Sequence, residues 1–327
     1  VRLEWRTAAR GVGRPCHCVG RCGAYGRCFG GASLSSLSEI GQYRFILPSP
    51  ALRPYITTYY FFEIQTPDGK DLDDVLHPEW ASARFMLEGK IDASIIPNPP
   101  EFVPSASLTG PTISACHIRC NMARMAGIGV TPLGWHKLIR VNASEYANQV
   151  FDVEAVPNFK VFAQIWNDIK HLSRIEDHAE AFDNWLVKAL RRTEPREDEI
   201  ERLHVALTNP DISDVAQLAA HVGMTTQRVE RLTRRVFGFP PKKLLRRQRF
   251  LRTLGQRLLD PDMRWNNAMD AQYHDQAHFN RDFHAFMGMS PSEYLAMPRP
   301  ISKAAIRARA EALGQPLQVL HRPDRDE

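Results

Sequence analysis

Apolar residues recur at helical spacing in the last third of the chain and at strand spacing in its first half. In TTQRVERLTRRVFG, Thr225 to Gly238, the residues Val229, Leu232 and Val236 share one face; in DQAHFNRDFHAFMG, Asp275 to Gly288, Phe279, Phe283 and Phe286 do the same. Each stretch opens on a residue able to cap a helix and closes on glycine, so each predicts a short amphipathic helix. A supporting helix is predicted before each one. The first is Ile212 to His221, with Val215, Leu218 and Ala219 at helical spacing and a turn at Gly223; the second is Arg264 to Gln272, with Trp265, Ala268 and Met269 apolar. Between the two units, Pro240 and Pro241 start a longer helix whose Leu244, Leu251, Leu254 and Leu258 form a buried stripe, ended by Asp260 and Pro261.

From Tyr43 to about Val130 the pattern changes. Short β-rich runs such as YITTYYFFEI (Tyr55 to Ile64) and ASARFMLEG (Ala81 to Gly89) are separated by the turn sequences PDGKD and PNPPEFVPS, which predicts a small β-sandwich or barrel. Helices follow from Asn158 to Arg192. One apolar face holds Phe162, Ile165, Trp166 and Ile169 and another Ala181, Trp185, Leu186 and Leu190, with packing inside the chain preferred over a second subunit. The run TEPREDE, Thr193 to Glu199, reads as a hinge.

A helix braced by a second helix is the unit that enters a DNA major groove. The outward positions carry Gln227, Arg228, Glu230, Arg231, Arg234 and Arg235 in the first unit and Gln276, His278, Asn280 and Arg281 in the second. Arg pairs with guanine edges, and Gln and Asn with adenine. Within Tyr273 to Leu295, YHDQAHFNRDFHAFMGMSPSEYL, the residues Asp275, Gln276, His278, Phe279, Arg281, Phe283, Gly288, Pro291 and Tyr294 fall in the signature positions of the AraC/XylS family of bacterial transcription regulators. The chain resembles the DNA-binding domain of that family over about residues 201 to 297. Two departures stand out: Gln272 replaces the usual turn glycine, and Thr233 replaces a common core residue. The resemblance implies base reading by Gln227, Glu230 and Arg231 and by Gln276, His278, Asn280 and Arg281, with Arg281 also a candidate for phosphate. Glu230 has two expectations, a cytosine contact or an i,i+4 pair with Arg234. Looser similarity over Gly127 to Val153, and at HPEW (His77 to Trp80), extends the resemblance to a cupin-like N-terminal sensory domain. It implies double-stranded DNA and RNA polymerase as partners, with a small-molecule effector and a homodimer as further expectations.

Charge agrees with this reading. Thr225 to Arg257 holds eleven Lys or Arg and one acid, Glu230, whereas the 327-residue chain carries only +5 in all. A hydrophobic content of 43% supplies two cores. No apolar run of about 18 residues exists, so no membrane span is expected and a cytoplasmic location is.

Candidate chemistry elsewhere is sparse. Cys16, Cys18, Cys22 and Cys28 sit in an Arg- and Gly-rich segment, Val1 to Gly41, that reads as disordered or as a non-native leader, and their spacing does not form paired CxxC zinc knuckles. Pro15 to Cys18 (PCHC) is similar to the PCHR motif of DNA alkyltransferases, which raises a methyl acceptor at Cys16 as an alternative. A metal-dependent cupin enzyme is a second alternative. Against it, His77, His117 and His136 form no HxH pair, so no metal, cofactor or enzymatic centre is expected. Trp80, Phe85 and Trp135 are candidates for lining an effector site or for filling the core. After Pro298, Ala304 to Leu313 predicts a short exposed helix. The expected organisation is thus α+β and multidomain: a leader (1–41), a cupin-like β-rich barrel with C-terminal helices (42–192), a linker (193–200), an all-α domain with two helix-turn-helix units (201–297), and a tail (298–327).

Overall fold

The computed structural model describes residues 36–37, 41–99, 101–190 and 195–322. Its β-rich half grows from simple alternation along strand β3 (Ile56–Gln65). Tyr59 and Phe61 face outward and pack on Phe182, with ring centroids 5.1 and 6.3 Å away. Thr58, Tyr60 and Phe62 face inward and line a cavity.

Strand β3 belongs to a seven-stranded antiparallel sheet of order β1-β2-β3-β10-β5-β8-β11. The other members are β1 (Ser36–Leu37), β2 (Gly41–Ile46), β5 (Ala81–Gly89), β8 (Ala106–Thr109), β10 (Met122–Val130) and β11 (Val150–Asp152). A second antiparallel sheet has the order β4 (Leu72–Leu76), β9 (Cys116–Cys120), β6 (Asp92–Ile95), β7 (Glu101–Phe102). The sheets share no strand pairing, so the expected barrel is an open sandwich. Strands of two to five residues in the smaller sheet are too short to wrap around and pair with the edges of the larger one, which closure requires.

Helices close the sandwich from outside. After β10 come a short helix α1 (Pro132–Gly134), capped by the Thr131 hydroxyl, and a wide turn over Trp135–Ile139. Helices α2 (Lys160–Ile169) and α3 (Ile175–Ala189) then cover the outer face of the larger sheet, burying Phe162, Ile165, Ile169, Phe182 and Leu186. They pack within the chain, as preferred from sequence.

The helical half begins earlier than the expected hinge allows. Helix α4 (Glu197–Thr208) places Glu197, Asp198 and Glu199 in its first turn, where acids favour the positive end of the helix dipole. Glu197 also accepts from the Tyr55 hydroxyl at 2.9 Å and pairs with Lys137. Part of the run read as a linker is therefore held against the β-rich half. Helices α5 (Val215–Val222), α6 (Thr226–Leu232), α7 (Pro241–Leu259), α8 (Trp265–Ala268), α9 (Gln276–Met287), α10 (Pro291–Ala296) and α11 (Pro300–Leu313) follow. Among the described residues no helix is long and apolar enough to cross a membrane.

The last helix departs most from expectation. Rather than lying exposed, α11 buries Ile301, Ala304 and Ala308 in one apolar cluster with Tyr43 and Phe62 of the larger sheet and Ile118 of the smaller one. It thus covers the open seam of the sandwich. The Asp74 carboxylate, buried on β4, accepts from the Ile301 and Ser302 N–H groups at 2.7 and 3.0 Å and so caps its first turn.

Candidate nucleic-acid interface and an internal cavity

The first unit pairs α5 with α6. Asp214 caps α5 through the Gln217 N–H at 2.8 Å, and Thr225 caps α6 through the Arg228 N–H at 3.2 Å. Val229, Leu232 and Val236 are buried as the periodicity predicts. Buried Thr233 bonds its hydroxyl back to the Glu230 carbonyl at 3.1 Å. The backbone there widens into a π-type turn over Thr233–Phe237, and Gly238 closes it in the left-handed region. Back-bonding satisfies the hydroxyl where a larger apolar side chain was expected.

The second unit pairs α8 with α9. Asp275 caps α9 through the His278 N–H at 2.6 Å, and Gly288 closes it at φ 72°. The bracing helix is only one turn long, Trp265–Ala268, although the sequence reading extends it to Gln272. With Gln272 in place of a turn glycine, the chain leaves the helix at Met269 in an extended conformation. Asp270 then organises the turn, its carboxylate accepting from the Gln272 N–H at 3.0 Å and its carbonyl from the Tyr273 N–H at 2.9 Å.

The outward faces differ from the simple basic patch read from composition. Of the eleven cations between Thr225 and Arg257, Arg228 is paired with Glu199, Arg234 with Glu230, Arg246 and Arg249 with Asp282, and Arg252 with Asp270. Arg247 is fully buried. Arg231, Arg235 and Lys242 are exposed and outside any ion pair among the described residues. Gln227 is exposed on α6, and Gln276, Asn280 and Arg281 are exposed on α9. Glu230 takes the i,i+4 pair of its two expectations. His278 turns partly inward: its Nε2 lies 3.1 Å from Arg249 Nη2 and, facing an obligate donor, must accept. Burial and the Arg249 charge hold its pKa below the ordinary imidazole range.

Asp282 organises this region. It is 1% exposed and accepts from Arg246 (2.6 Å), Arg249 (2.8 Å) and the Tyr273 hydroxyl (3.1 Å). Burial alone would raise its pKa, but the two guanidinium hydrogen bonds outweigh that and lower it.

The halves share a core and several polar joints. The Ala115 N–H donates to the Phe286 carbonyl at 2.7 Å. His77, fully buried, bonds through Nε2 to the Tyr294 hydroxyl at 2.6 Å, and burial, then the Arg299 charge, pushes its pKa down to about 3. Arg247 reaches from α7 into the β-rich half, donates to the Thr112 carbonyl at 2.8 Å and lies over the Trp80 ring at 4.1 Å.

Within the sandwich lies a cavity of about 180 Å³. Tyr60, Phe62, Met86 and Ile118 give it an apolar wall, Glu79 and Arg84 a paired charge, and Arg309 of α11 a cation. None of the three aromatic candidates lines it. Trp80 packs on His204 and Phe237, Phe85 on Trp166 and Phe182, and Trp135 on Tyr146 with its indole N–H donating to the Val141 carbonyl. Phe85 illustrates the reason: the alternation that turns Arg84 and Met86 inward sends it to the helix-covered face. Arg309 went unnoticed in the sequence, although Ser302, Ile306 and Arg309 share the helical spacing that places it on the buried stripe.

The histidines do not converge. His77 bonds Tyr294, His136 lies 2.9 Å from the Pro195 carbonyl, and half-buried His117 has a pKa lowered mainly by burial. Among the described residues no three His, Cys, Asp or Glu side chains form a metal-ligating group. Cys16, Cys18, Cys22 and Cys28 lie outside the described residues.

A family model described as a helix-turn-helix domain matches residues 218–297, from within α5 to the end of α10. The chain carries an AraC-type helix-turn-helix domain. The match leaves the sandwich and α11 outside the AraC-type domain. No curated protein matches the chain. Among solved structures, an apo variant of ToxT from Vibrio cholerae is 11% identical with a TM-score of 0.40, over 73% of this chain and 97% of that one. Fatty-acid-bound wild-type ToxT is also 11% identical, with a TM-score of 0.39 over 69% and 95%. An oxalate decarboxylase variant from Bacillus subtilis covers 31% of this chain and 28% of that one at 11% identity and a TM-score of 0.25. Likeness this distant carries no argument about function.

Proposed function

We propose that this chain is a cytoplasmic, non-enzymatic transcription regulator that reads double-stranded DNA with α6 and α9 and takes a small effector in the cavity of its sandwich. The observation that carries the reading is the AraC-type domain with two capped, glycine-closed helices whose outward residues can meet base edges. Gln227 and Arg231 read one major groove, Gln276, Asn280 and Arg281 the next, about one helical turn away. Arg235 and Lys242 neutralise phosphate. Arg228 and His278, held by Glu199 and Arg249, orient the readers from within the protein. Regulation then acts through RNA polymerase, by contact or by exclusion.

Selection of bound fragments from random duplex DNA, followed by sequencing, tests this. Two conserved blocks spaced about 10 base pairs apart are expected. Enrichment without any shared motif would overturn the sequence-reading role.

A further inference from the structure

The helix that follows the AraC-type domain is part of the cavity wall. Ser302, Ile306 and Arg309 of α11 line it, joined by Leu317 and Gln318. Gln318 is fixed on both sides of its amide: Oε1 accepts from the Trp80 N–H at 2.9 Å and Nε2 donates to the Ala81 carbonyl at 3.1 Å. The next residue, Val319, accepts at its carbonyl from Gln248 Nε2 of α7 at 3.0 Å. Residues 300–320 therefore strap the sandwich to the helix that joins the two readers.

Arg309 is the anomaly in this strap. It is 7% exposed, its Nη1 has only a 3.3 Å contact with the Thr58 hydroxyl, and its Nε and Nη2 have no hydrogen-bond partner. Those two N–H groups point the same way and form the edge that grips both oxygens of a carboxylate. The same chain uses that edge twice elsewhere, Arg119 on Asp73 (2.8 and 3.2 Å) and Arg228 on Glu199.

The charges facing the cavity do not balance. Glu79 and Arg84 cancel each other. His77 is neutral, and Cys116, raised to about 11 chiefly by burial, is a thiol. Tyr43 and Tyr60 have raised values and stay protonated. Asp74, outside the wall, is engaged with the first turn of α11. One positive charge is left over, and a buried charge without a partner is costly.

Resting on the reading of this cavity as an effector site, we propose that the ligand is a compact monocarboxylate with an apolar body, its carboxylate held by the Nε and Nη2 edge of Arg309. Size follows from volume. A dry cavity of about 150 Å³ accepts benzene, so this one suits a six-membered ring bearing a carboxylate and excludes a long unbranched chain. Because Arg309 lies on the strap, the bound acid also pins residues 300–320, and through Gln248 the strap reports occupancy to α7.

The test uses the full chain and three probes in calorimetric titration: cyclohexanecarboxylate, the neutral cyclohexanecarboxamide, and dodecanoate. The acid should bind about tenfold or more tightly than the amide, and it should slow hydrogen exchange in residues 300–313. Arg309→Met should erase the preference for acid over amide, with Arg309→Lys restoring part of it. Ala305→Phe narrows the cavity while keeping Arg309, and should lose the acid in a protein that still melts cooperatively. Equal binding of acid and amide, or tighter binding of dodecanoate, would overturn the proposal while leaving the cavity an effector site. No binding of any probe overturns it too. Loss of site-selective DNA binding is a separate readout: it would sink the regulator reading and leave acid recognition standing.

Discussion

The two reader units share one architectural idea and are held together in different ways. The first is braced by the eight-residue helix α5, and its reading face keeps free cations at Arg231 and Arg235. The second is braced by the single turn of α8 and relies on aromatic packing, with Phe279 and Phe283 wedged against Phe250 and Trp265 at centroid distances of 5.2–6.4 Å. Three cations of α7 near it, Arg246, Arg249 and Arg252, are neutralised by Asp282 and Asp270. Its reading face is correspondingly less charged, led by Gln276 and Asn280. The difference teaches that affinity and selectivity can be divided: free cations in one unit supply the sequence-independent attraction to phosphate, and a rigid, largely neutral face in the other supplies discrimination.

Four changes break or sharpen this contrast. The largest effect is expected from Phe283→Ala, which empties the aromatic centre of the second unit and should cost about 3–5 kcal/mol, read as a lowered midpoint in urea. Val229→Ala in the first unit removes less volume and should cost less. Next comes Asp282→Asn, expected to cost about 2–4 kcal/mol because it leaves Arg249 buried without its counter-charge, Arg246 being partly solvated. The pH sign is fixed by the lowered pKa of Asp282. Its contribution is fully present above the unfolded value of about 3.9 and is lost as pH falls through the lower folded value, so the variant should show a shallower acid limb than the parent.

A smaller effect separates the two reading faces. Arg231→Ala should cost about 1–3 kcal/mol on the selected site and relax preference at one base pair. Arg235→Gln should weaken all DNA similarly and reduce the slope of log affinity against log salt by about 1. Gln276→Ala should alter preference and leave the salt slope unchanged. Equal salt slopes for all three variants would remove the proposed division between the units.

The gentlest effect concerns the joint between the halves. His77 and His204 are both fully buried with folded values pushed down to about 3, mainly by burial. A depressed histidine lets the unfolded chain bind more protons below its ordinary value of about 6.5, so stability should decline as pH falls from 6.5 toward 3. His77→Gln should flatten part of that decline in thermal melts between pH 7 and 5.

The helical pattern was legible because caps, glycine stops and 3.6-residue spacing are local signals. Thr225, Asp275, Gly238 and Gly288 all perform the roles their types suggest. Residues of β3 were likewise recognisable as strand, but their division between an outer helical cover and an inner cavity was not, since either face of YITTYYFFEI is apolar enough to be buried. The basic run was legible as charge and illegible as availability: its partners Glu199, Asp270 and Asp282 lie 18 to 36 positions away. Least legible was α11. Alanine-rich helix formers look solvent-exposed in sequence, yet Ala304 and Ala308 are small enough for a helix to settle into a seam between sheets.

The cap on α11 links Ile301 to Asp74 across 227 positions, and Arg309 meets Thr58 across 251. On a ribosome, which releases chain from the N-terminal side, the sandwich therefore waits for residues made after both DNA readers before its seam can shut. Contacts this remote in sequence slow folding and prolong the exposure of unfinished apolar surface. A stalled product ending before residue 300 would bear both readers and an open sandwich, which makes it a candidate for chaperone capture before it becomes a competitor for DNA.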